Sequence, residues 1–499
     1  ICSDYDNFFH IILKSMLIWW CCRICFFFQA EDGIRYLVRS RGLGDVYKRQ
    51  ESTTSPATGT TQKLGWKFPK DFWLANLMEL CERAAYYGFF ILLTVYLTDL
   101  VGFDDVWGNT IAGLFAGFLY FLPPFSGAIS DRIGFKNGLI LAFGLLTIGY
   151  FFLGVTHSKV AVIFFLIVLM IGASFIKPLI TGTVAKTSDE LNRARAFSIF
   201  YWMVNIGAFS GKTVVPWIRK GVGLEYINFF SAGVSFLALI IAIFLFRNLE
   251  LKTERKSFKD IFKGLIKILT NTRLITLTLI ISGFWLIQAQ LYQTMPKFVL
   301  RIVGQEANPE WIANVNPFIV VVFVLIVTQM MKKRTAVNSM LVGLFLMPLS
   351  AFSMSLGPWL QSIVGNETPI FGILFHPFTI MMIVGISLQG LAECFISPRF
   401  LEYFSLQAPK GEEGVYLGFS HLHSFVSYIA GGVISGFLLE KYCPDPKTLP
   451  VGITDVERLA YYSDAHTIWY YFAAIGIVSA FALIVYKWYY NKKDRQLAV

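Results

Sequence analysis

Residues 160–185 read VAVIFFLIVLMIGASFIKPLITGTVA, a run in which Lys177 is the only charge. A bilayer core about 30 Å thick is crossed by roughly 20 apolar residues in a helix rising about 1.5 Å per residue. This stretch therefore reads as a membrane span. A barrel strand is excluded, because such strands alternate apolar and polar residues over about ten positions and this run is continuous. Similar runs recur in both directions. They lie near 72–98, 107–130, 137–156, 160–185, 197–218 and 228–247, then, after a polar stretch, near 274–300, 311–331, 335–356, 370–407, 415–439 and 464–488; these are spans 1 to 12. The composition agrees. Of 499 residues 55% are hydrophobic and 15% charged, with a mean hydropathy of +0.58, whereas a soluble domain carries about 25% charged residues. The fold class expected is an all-α polytopic membrane protein, twelve transmembrane helices in two six-helix bundles.

The formal charge of +11 fits a membrane better than nucleic acid, since no basic soluble module is present to hold a polyanion. Lys and Arg concentrate in cytoplasmic loops. The 2–3 loop carries Arg132 and Lys136, the 4–5 loop Lys186, Arg193 and Arg195, and the 8–9 loop Lys332, Lys333 and Arg334. The 6–7 connection is the most basic, from Arg247 through Lys259, Lys263 and Lys267 to Arg273, and the tail adds Lys492, Lys493 and Arg495. Thr98–Val106 on the opposite side has no base and includes Asp99, Asp104 and Asp105. Both termini are expected in the cytoplasm, in a plasma or bacterial inner membrane. The expected divisions are an N-terminal bundle at 71–247, a basic connector at 248–273, a C-terminal bundle at 274–490 and a tail at 491–499. Of the seven cysteines, Cys22 and Cys25 form a CxxC within the first fifty residues, while Cys2, Cys81, Cys394 and Cys443 are scattered without metal-ligand spacing, and no metal is expected.

The first fifty residues stand apart. Gln29-Ala30-Glu31-Asp32-Gly33-Ile34-Arg35 resembles an in-frame translation of a sequencing-library adaptor, and the likeness continues to Gln50. Residues 8–28 are apolar enough to be drawn as a helix, but 1–50 are expected to lie outside the fold as an assembly artefact. The following lead-in, 51–70, is expected to be disordered.

Six spans, a basic connector and six more spans make a two-bundle plan, of the kind that holds substrate at mid-membrane and rocks around it. The 2–3 loop reads Gly127-Ala-Ile-Ser-Asp131-Arg132-Ile-Gly134-Phe-Lys136. As a bare pattern it is a tight charged turn. Placed at the second inner turn of such a chain, it resembles the GxxxDRxGxK loop of the major facilitator superfamily, which implies a gating role for Gly127, Asp131, Arg132 and Gly134.

Span 1 contains Glu79, Glu82 and Arg83, and each charge at mid-bilayer costs about 2.5–3.5 kcal/mol on insertion scales. With Tyr86 and Tyr87 they fall at i, i+3, i+4, i+7 and i+8, one helical face. Such a stripe lines water or the other bundle. A structural salt bridge is the alternative, although three charges and two phenols exceed what one needs. Glu79-Leu-Cys-Glu82-Arg83-Ala-Ala-Tyr86-Tyr87 resembles the ExxER…YY motif of proton-dependent oligopeptide transporters (the POT/PTR family). Further likenesses follow in chain order. They are Tyr120 on span 2, Phe175-Ile176-Lys177-Pro178 on span 4 and Phe200-Tyr201-Trp202-Met203-Val204-Asn205-Ile206-Gly207 on span 5. Then come Asn316-Pro317 opening span 8, and Gly390-Leu-Ala-Glu393-Cys-Phe-Ile-Ser397-Pro398 on span 10, followed by Ala408-Pro409-Lys410. The resemblance covers about residues 70–490.

It implies a proton-coupled symporter of di- and tripeptides that works as a monomer, needs no cofactor and draws on the proton gradient. The residue chemistry agrees. A short peptide is a zwitterion. Arg83 and Lys177 offer cations for its carboxylate, guanidinium being able to bind bidentately, and Glu393 on the other bundle offers an anion for its amine. Tyr86, Tyr87, Tyr120, Asn205, Trp285, Gln290, Asn316 and Ser397 complete the expected substrate site. A proton site needs a carboxylate that holds its proton near neutral pH and answers to a neighbouring cation. Glu79 and Glu82, beside Arg83, are expected to act as one coupled pair.

There are departures. On span 7, Phe284-Trp285-Leu286-Ile287-Gln288-Ala289-Gln290 resembles the family's FWxxxEQ stretch, with Ala289 where many members carry an acid. Residues 248–273 are too few for the extra helix pair of many bacterial members. Lys212 is expected to snorkel to the outer interface. His421 and His423, two residues apart on a helix, are expected to point about 200° apart, with at most one toward the cavity. Pro123-Pro124 and Pro178 are expected kinks. The nearest rival keeps the fold and carries another small solute, an anion or amino-acid derivative; Glu393 speaks for the zwitterion. An enzyme is not expected, since neither HExxH nor GxSxG occurs.

Overall fold

The computed structural model describes residues 68–188, 192–247, 258–370, 372–408, 413–450, 454, 457 and 460–497. The adaptor-like segment 1–50, most of the lead-in 51–70, the first part of the connector (248–257) and Pro409-Lys410 lie outside the described residues.

Among them, nine helices are long and apolar enough to cross a membrane, and two bent pairs would raise the number to eleven. The twelfth expected span is the helix Arg193–Gly221, where Asn205 and Lys212 dilute the apolar run. Span 1 is the pair Lys70–Phe90 and Leu93–Asp99, bent by 43°. Span 2 is Asp105–Phe121 followed by Pro123–Ile133, bent by 49°. Proline lacks an N–H and clashes with the preceding turn, so Pro123-Pro124 open a new helix. Pro178, by contrast, sits inside one helix, Lys159–Lys186.

Span 10 corrects the sequence reading. The helix begins at Pro377 and runs to Gln407, seven residues later than the start expected at 370. Residues Thr368–Ile370 (β1) and Ile373–Phe375 (β2) instead form an antiparallel hairpin, with Gly372 at φ +82°. Span 11 is also broken, into Glu413–Phe419 and Leu422–Tyr442.

Each half has its own apolar core. Leu74, Phe89, Phe143, Leu166 and Ile180 pack in the first, and Leu277, Phe298, Met347, Phe404 and Trp469 in the second. Between the halves, Gly113 and Gly432 allow backbones to meet. A Cβ on Gly113 would lie 2.5 Å from the Tyr428 carbonyl oxygen, and one on Gly432 2.4 Å from that of Asn109. Small residues allow such approaches where lipid supplies no hydrophobic drive between helices, and here they join span 2 to span 11.

The helices define two ends, the terminal end, where span 1 begins and span 12 finishes, and the far end. The far end is sealed by charge between the halves. Asp105, opening span 2, takes Lys297 Nζ at 2.8 Å and Arg301 Nη1 at 2.7 Å from the helix after span 7. Arg219 on span 5 pairs with Glu310 before span 8 at 2.8 Å, and its Nη atoms donate to the carbonyls of Gln305 and Ala307.

Candidate functional site

The charged stripe of span 1 is held by close contact with span 5. A Cβ on Gly207 would come within 2.7 Å of Arg83 Cβ, and one on Gly211 within 2.2 Å of the Ala84 carbonyl oxygen. The glycine ending the span 5 motif thus sets the depth of Arg83. Glu79 and Glu82 are buried. Arg83 Nε lies 3.3 Å from Glu79 Oε1 and the guanidinium also contacts Glu82. Its Cζ stands 5.4 Å and 5.9 Å from the ring centroids of Tyr86 and Tyr87, a cation–π arrangement. Glu79 Oε2 and Glu82 Oε1 are buried without a hydrogen-bond partner. Two carboxylates share one guanidinium and neither is fully satisfied.

Lys177 on span 4 reaches the same place. Its Nζ lies 5.8 Å from the Tyr120 ring centroid, within electrostatic reach of Arg83, Glu79 and Glu82. Although it stands more than two turns inside its helix, Lys177 is exposed, and Tyr201 on span 5 is 51% exposed. These accessible side chains lie toward the terminal end, whereas ion pairs join the halves at the far end.

On the other half, Glu393 accepts from Gln288 Nε2 at 3.1 Å and Asn316 Nδ2 at 3.4 Å. It is within electrostatic reach of Tyr87, Tyr120, Tyr201 and Tyr292. Among the described residues no ion pair joins it to Arg83 or Lys177. Cations on one half and an anion on the other thus face a shared tyrosine-lined space. Ser397 is half-buried one helical turn from Glu393. Asn205, half-buried on span 5, donates its Nδ2 to the Tyr201 carbonyl at 2.7 Å.

Other expected residues are placed differently. Gln290 spends its side chain on Leu286 O, Gln293 Oε1 and Thr294 Oγ1. This polar knot reaches Asn109 and Ser435, where Asn109 joins the halves, so Gln290 supports that junction and does not join the Glu393 group. Gln288, two residues earlier, takes that place. Trp285 stacks on His423 at 5.2 Å, with its Nε1 lacking a partner. His421 and His423 do not diverge; their rings are 5.9 Å apart, because the helix is interrupted at Ser420-His421 and the two residues share no continuous turn. Lys212 does not snorkel. It is 1% exposed, donates to the Ala313 carbonyl at 3.2 Å and lies 5.6 Å from the Tyr87 ring centroid.

Of the 2–3 loop, Gly134 ends the helix Pro123–Ile133 at φ +87°, a conformation that glycine adopts without a Cβ clash. Gly127 sits against Pro178, and Arg132 lies 5.3 Å from the Phe258 ring centroid. The side chain of Asp131 lies outside the described residues. Sequence reasoning missed Gln288, Tyr292 and Tyr428. Tyr428 stacks on Tyr120 across the halves at 5.7 Å, and Tyr292 lies 6.1 Å from Tyr87. A tyrosine among apolar neighbours carries no periodic signal of its own.

The sequence profile described as Major Facilitator Superfamily matches residues 75–373. The chain belongs to this superfamily. Relatives include dipeptide and tripeptide permease B of Photorhabdus asymbiotica, 24% identical, with 84% of this chain and 94% of that protein covered. The permease of the same name from Aeromonas hydrophila is 24% identical, with 86% and 93% covered. Multidrug resistance protein MdtH of Photorhabdus laumondii is 23% identical, with 71% and 83% covered. Among solved structures, a POT family transporter in complex with a thioalcohol-conjugated peptide superposes with a TM-score of 0.67 at 17% identity, covering 85% of this chain and 98% of that one. A proton-dependent oligopeptide transporter gives 0.65 at 20%, covering 84% and 98%. The superfamily is one of transporters, and the chain has its fold, twelve helices in two bundles of a multi-pass membrane protein.

Proposed function

We propose that this protein is a proton-coupled symporter that takes up di- and tripeptides by alternating access. The observation that carries the reading is that Arg83 and Lys177 stand on one half and Glu393 on the other, with no ion pair between them and Glu393 among the described residues. A zwitterionic peptide fits that division of charge, its carboxylate toward Arg83 and Lys177 and its amine toward Glu393. Binding at both ends draws the halves together. Tyr87, Tyr120, Tyr292 and Tyr428 then supply apolar walls and hydroxyls that tolerate varied side chains.

Charge balance gives the proton a role. Glu79, Glu82, Arg83 and Lys177 sum to zero when ionised, and a peptide carboxylate adds one negative charge. One proton on the Glu79–Glu82 pair restores neutrality and loosens its hold on Arg83, freeing the guanidinium for the peptide. With the terminal end in the cytoplasm, as the basic loops indicate, this structure is the inward-open state in a plasma or bacterial inner membrane. The Asp105 and Arg219 ion pairs close the outside, the protein acts as a monomer, and no cofactor takes part.

The test is uptake of a labelled dipeptide into proteoliposomes under an imposed pH gradient. Accumulation above equilibrium that collapses with the gradient is expected. Binding without translocation, or accumulation indifferent to the gradient, overturns the proposal.

A further inference from the structure

The helix Phe258–Thr270 at the terminal end is divided into three faces. Ile261, Leu265 and Ile268 are buried in a core that also includes Ala128 of span 2, Leu274 of span 7 and Tyr416 of span 11. Phe258 lies against Arg132 at the end of span 2. The helix therefore straps together elements of both halves. A second face is apolar yet uncovered, with Phe262, Ile266 and Leu269 being 55%, 46% and 46% exposed. The third is cationic, with Lys259, Lys263 and Lys267 all exposed. At about 100° per residue, Lys259 lies next to Ile266, the other lysines follow, and Asp260 lies nearly opposite the apolar stripe.

One face against protein, one apolar and one basic suit a helix lying in the membrane interface. The apolar stripe meets acyl chains, and the adjoining lysines sit at headgroup depth. Ile133 on span 2 and Leu417 on span 11, in helices that pack against this one, are exposed apolar side chains as well. Three lysines against one aspartate select negatively charged headgroups.

We propose that Phe258–Thr270 is a binding surface for anionic lipid in the leaflet at the terminal end, with Phe262, Ile266 and Leu269 inserted and Lys259, Lys263 and Lys267 on headgroup phosphates. The proposal depends on the membrane fold and not on which solute is carried.

Hydrogen exchange of the full chain in nanodiscs tests it. Phosphatidylcholine alone is compared with phosphatidylcholine containing about 30% phosphatidylglycerol, a charge density that attracts basic interfacial segments. Exchange across 258–270 should slow by about threefold or more with the anionic lipid. The change should vanish in Lys259→Gln/Lys263→Gln/Lys267→Gln, while exchange across span 7 serves as the control for folding. Equal exchange in the two lipids overturns the proposal, as does a triple variant that still responds. Inorganic phosphate added to phosphatidylcholine discs should not reproduce the protection; if it does, the surface is a soluble-anion site and the lipid proposal falls.

Discussion

Lys212 and Ala313 meet across the two halves, the lysine Nζ donating to the alanine carbonyl at 3.2 Å inside a shell that leaves Lys212 1% exposed. Beside them, Trp311 Nε1 and Asn314 Nδ2 donate to Thr213 at 3.1 Å each. An ammonium buried on one carbonyl and one tyrosine face is costly, and no carboxylate lies within ion-pair distance among the described residues.

Replacing Lys212 with methionine keeps most of the volume and removes that burden. Exchanging buried charge for a packed apolar group is often neutral or stabilising by about 1–4 kcal/mol. The melting temperature of Lys212→Met in detergent should hold or rise, while uptake falls because the polar contact between the halves is gone. A clear drop in melting temperature would show that Lys212 is a structural anchor.

Asp105 has the opposite character, with two cations, Lys297 and Arg301, converging on it. Asp105→Asn leaves Lys297 buried without a carboxylate partner among the described residues and Arg301 with only Asp445, 3.6 Å away. Breaking one partner of a buried pair costs about 3–5 kcal/mol, here charged against the state closed at the far end. Spin labels on spans 2 and 7 at that end should report a longer separation in the variant. An unchanged distance distribution would mean that the Arg219–Glu310 pair and the glycine contact between spans 2 and 11 suffice to hold the seal.

The helices and the charged stripe of span 1 were legible in the sequence for simple reasons. Apolar run length is set by bilayer thickness, and Glu79, Glu82 and Arg83 stand out because lipid cannot solvate them. The start of span 10 was misread because Ile370 to Phe375 are apolar whether they form a helix or a hairpin, and only Gly372 and Pro377 mark the difference. The direction of His421 depended on helix continuity, which the break at Ser420-His421 removes. Lys212 was misplaced because snorkelling assumes a path to the interface that packing against span 8 closes. Gln288 and Gln290 look alike in sequence, and only the rotation of span 7 assigns one to Glu393 and the other to the knot between the halves.

Blocked peptides test the end-clamping geometry. Arg83→Ala or Lys177→Ala should weaken binding of free-carboxylate dipeptides far more than of C-terminally amidated ones, and Glu393→Gln should discriminate in the same way between free and N-acetylated amines. Losing a charge partner in a closed site costs about 3–5 kcal/mol, so calorimetric affinities should separate by more than a factor of ten. Equal losses for blocked and free peptides would remove the clamp.

Proton coupling is expected to run through Glu79 and Glu82, because Ala289 leaves span 7 without an acid. Ala289 is buried with Tyr428 among residues of the first half, so a carboxylate there would face the Arg83 side. The double variant Glu79→Gln/Glu82→Gln removes the titrating pair and leaves Arg83 with no carboxylate to hold it back. Uptake driven by a pH gradient should be lost, while counterflow exchange, which needs binding and rocking but no net proton movement, should persist. Ala289→Glu should shift the pH dependence of uptake without being required for it. Full pH-driven accumulation in the double variant would move the coupling elsewhere. His421, 5.9 Å from Tyr120 and beside His423, would then be the first group to replace.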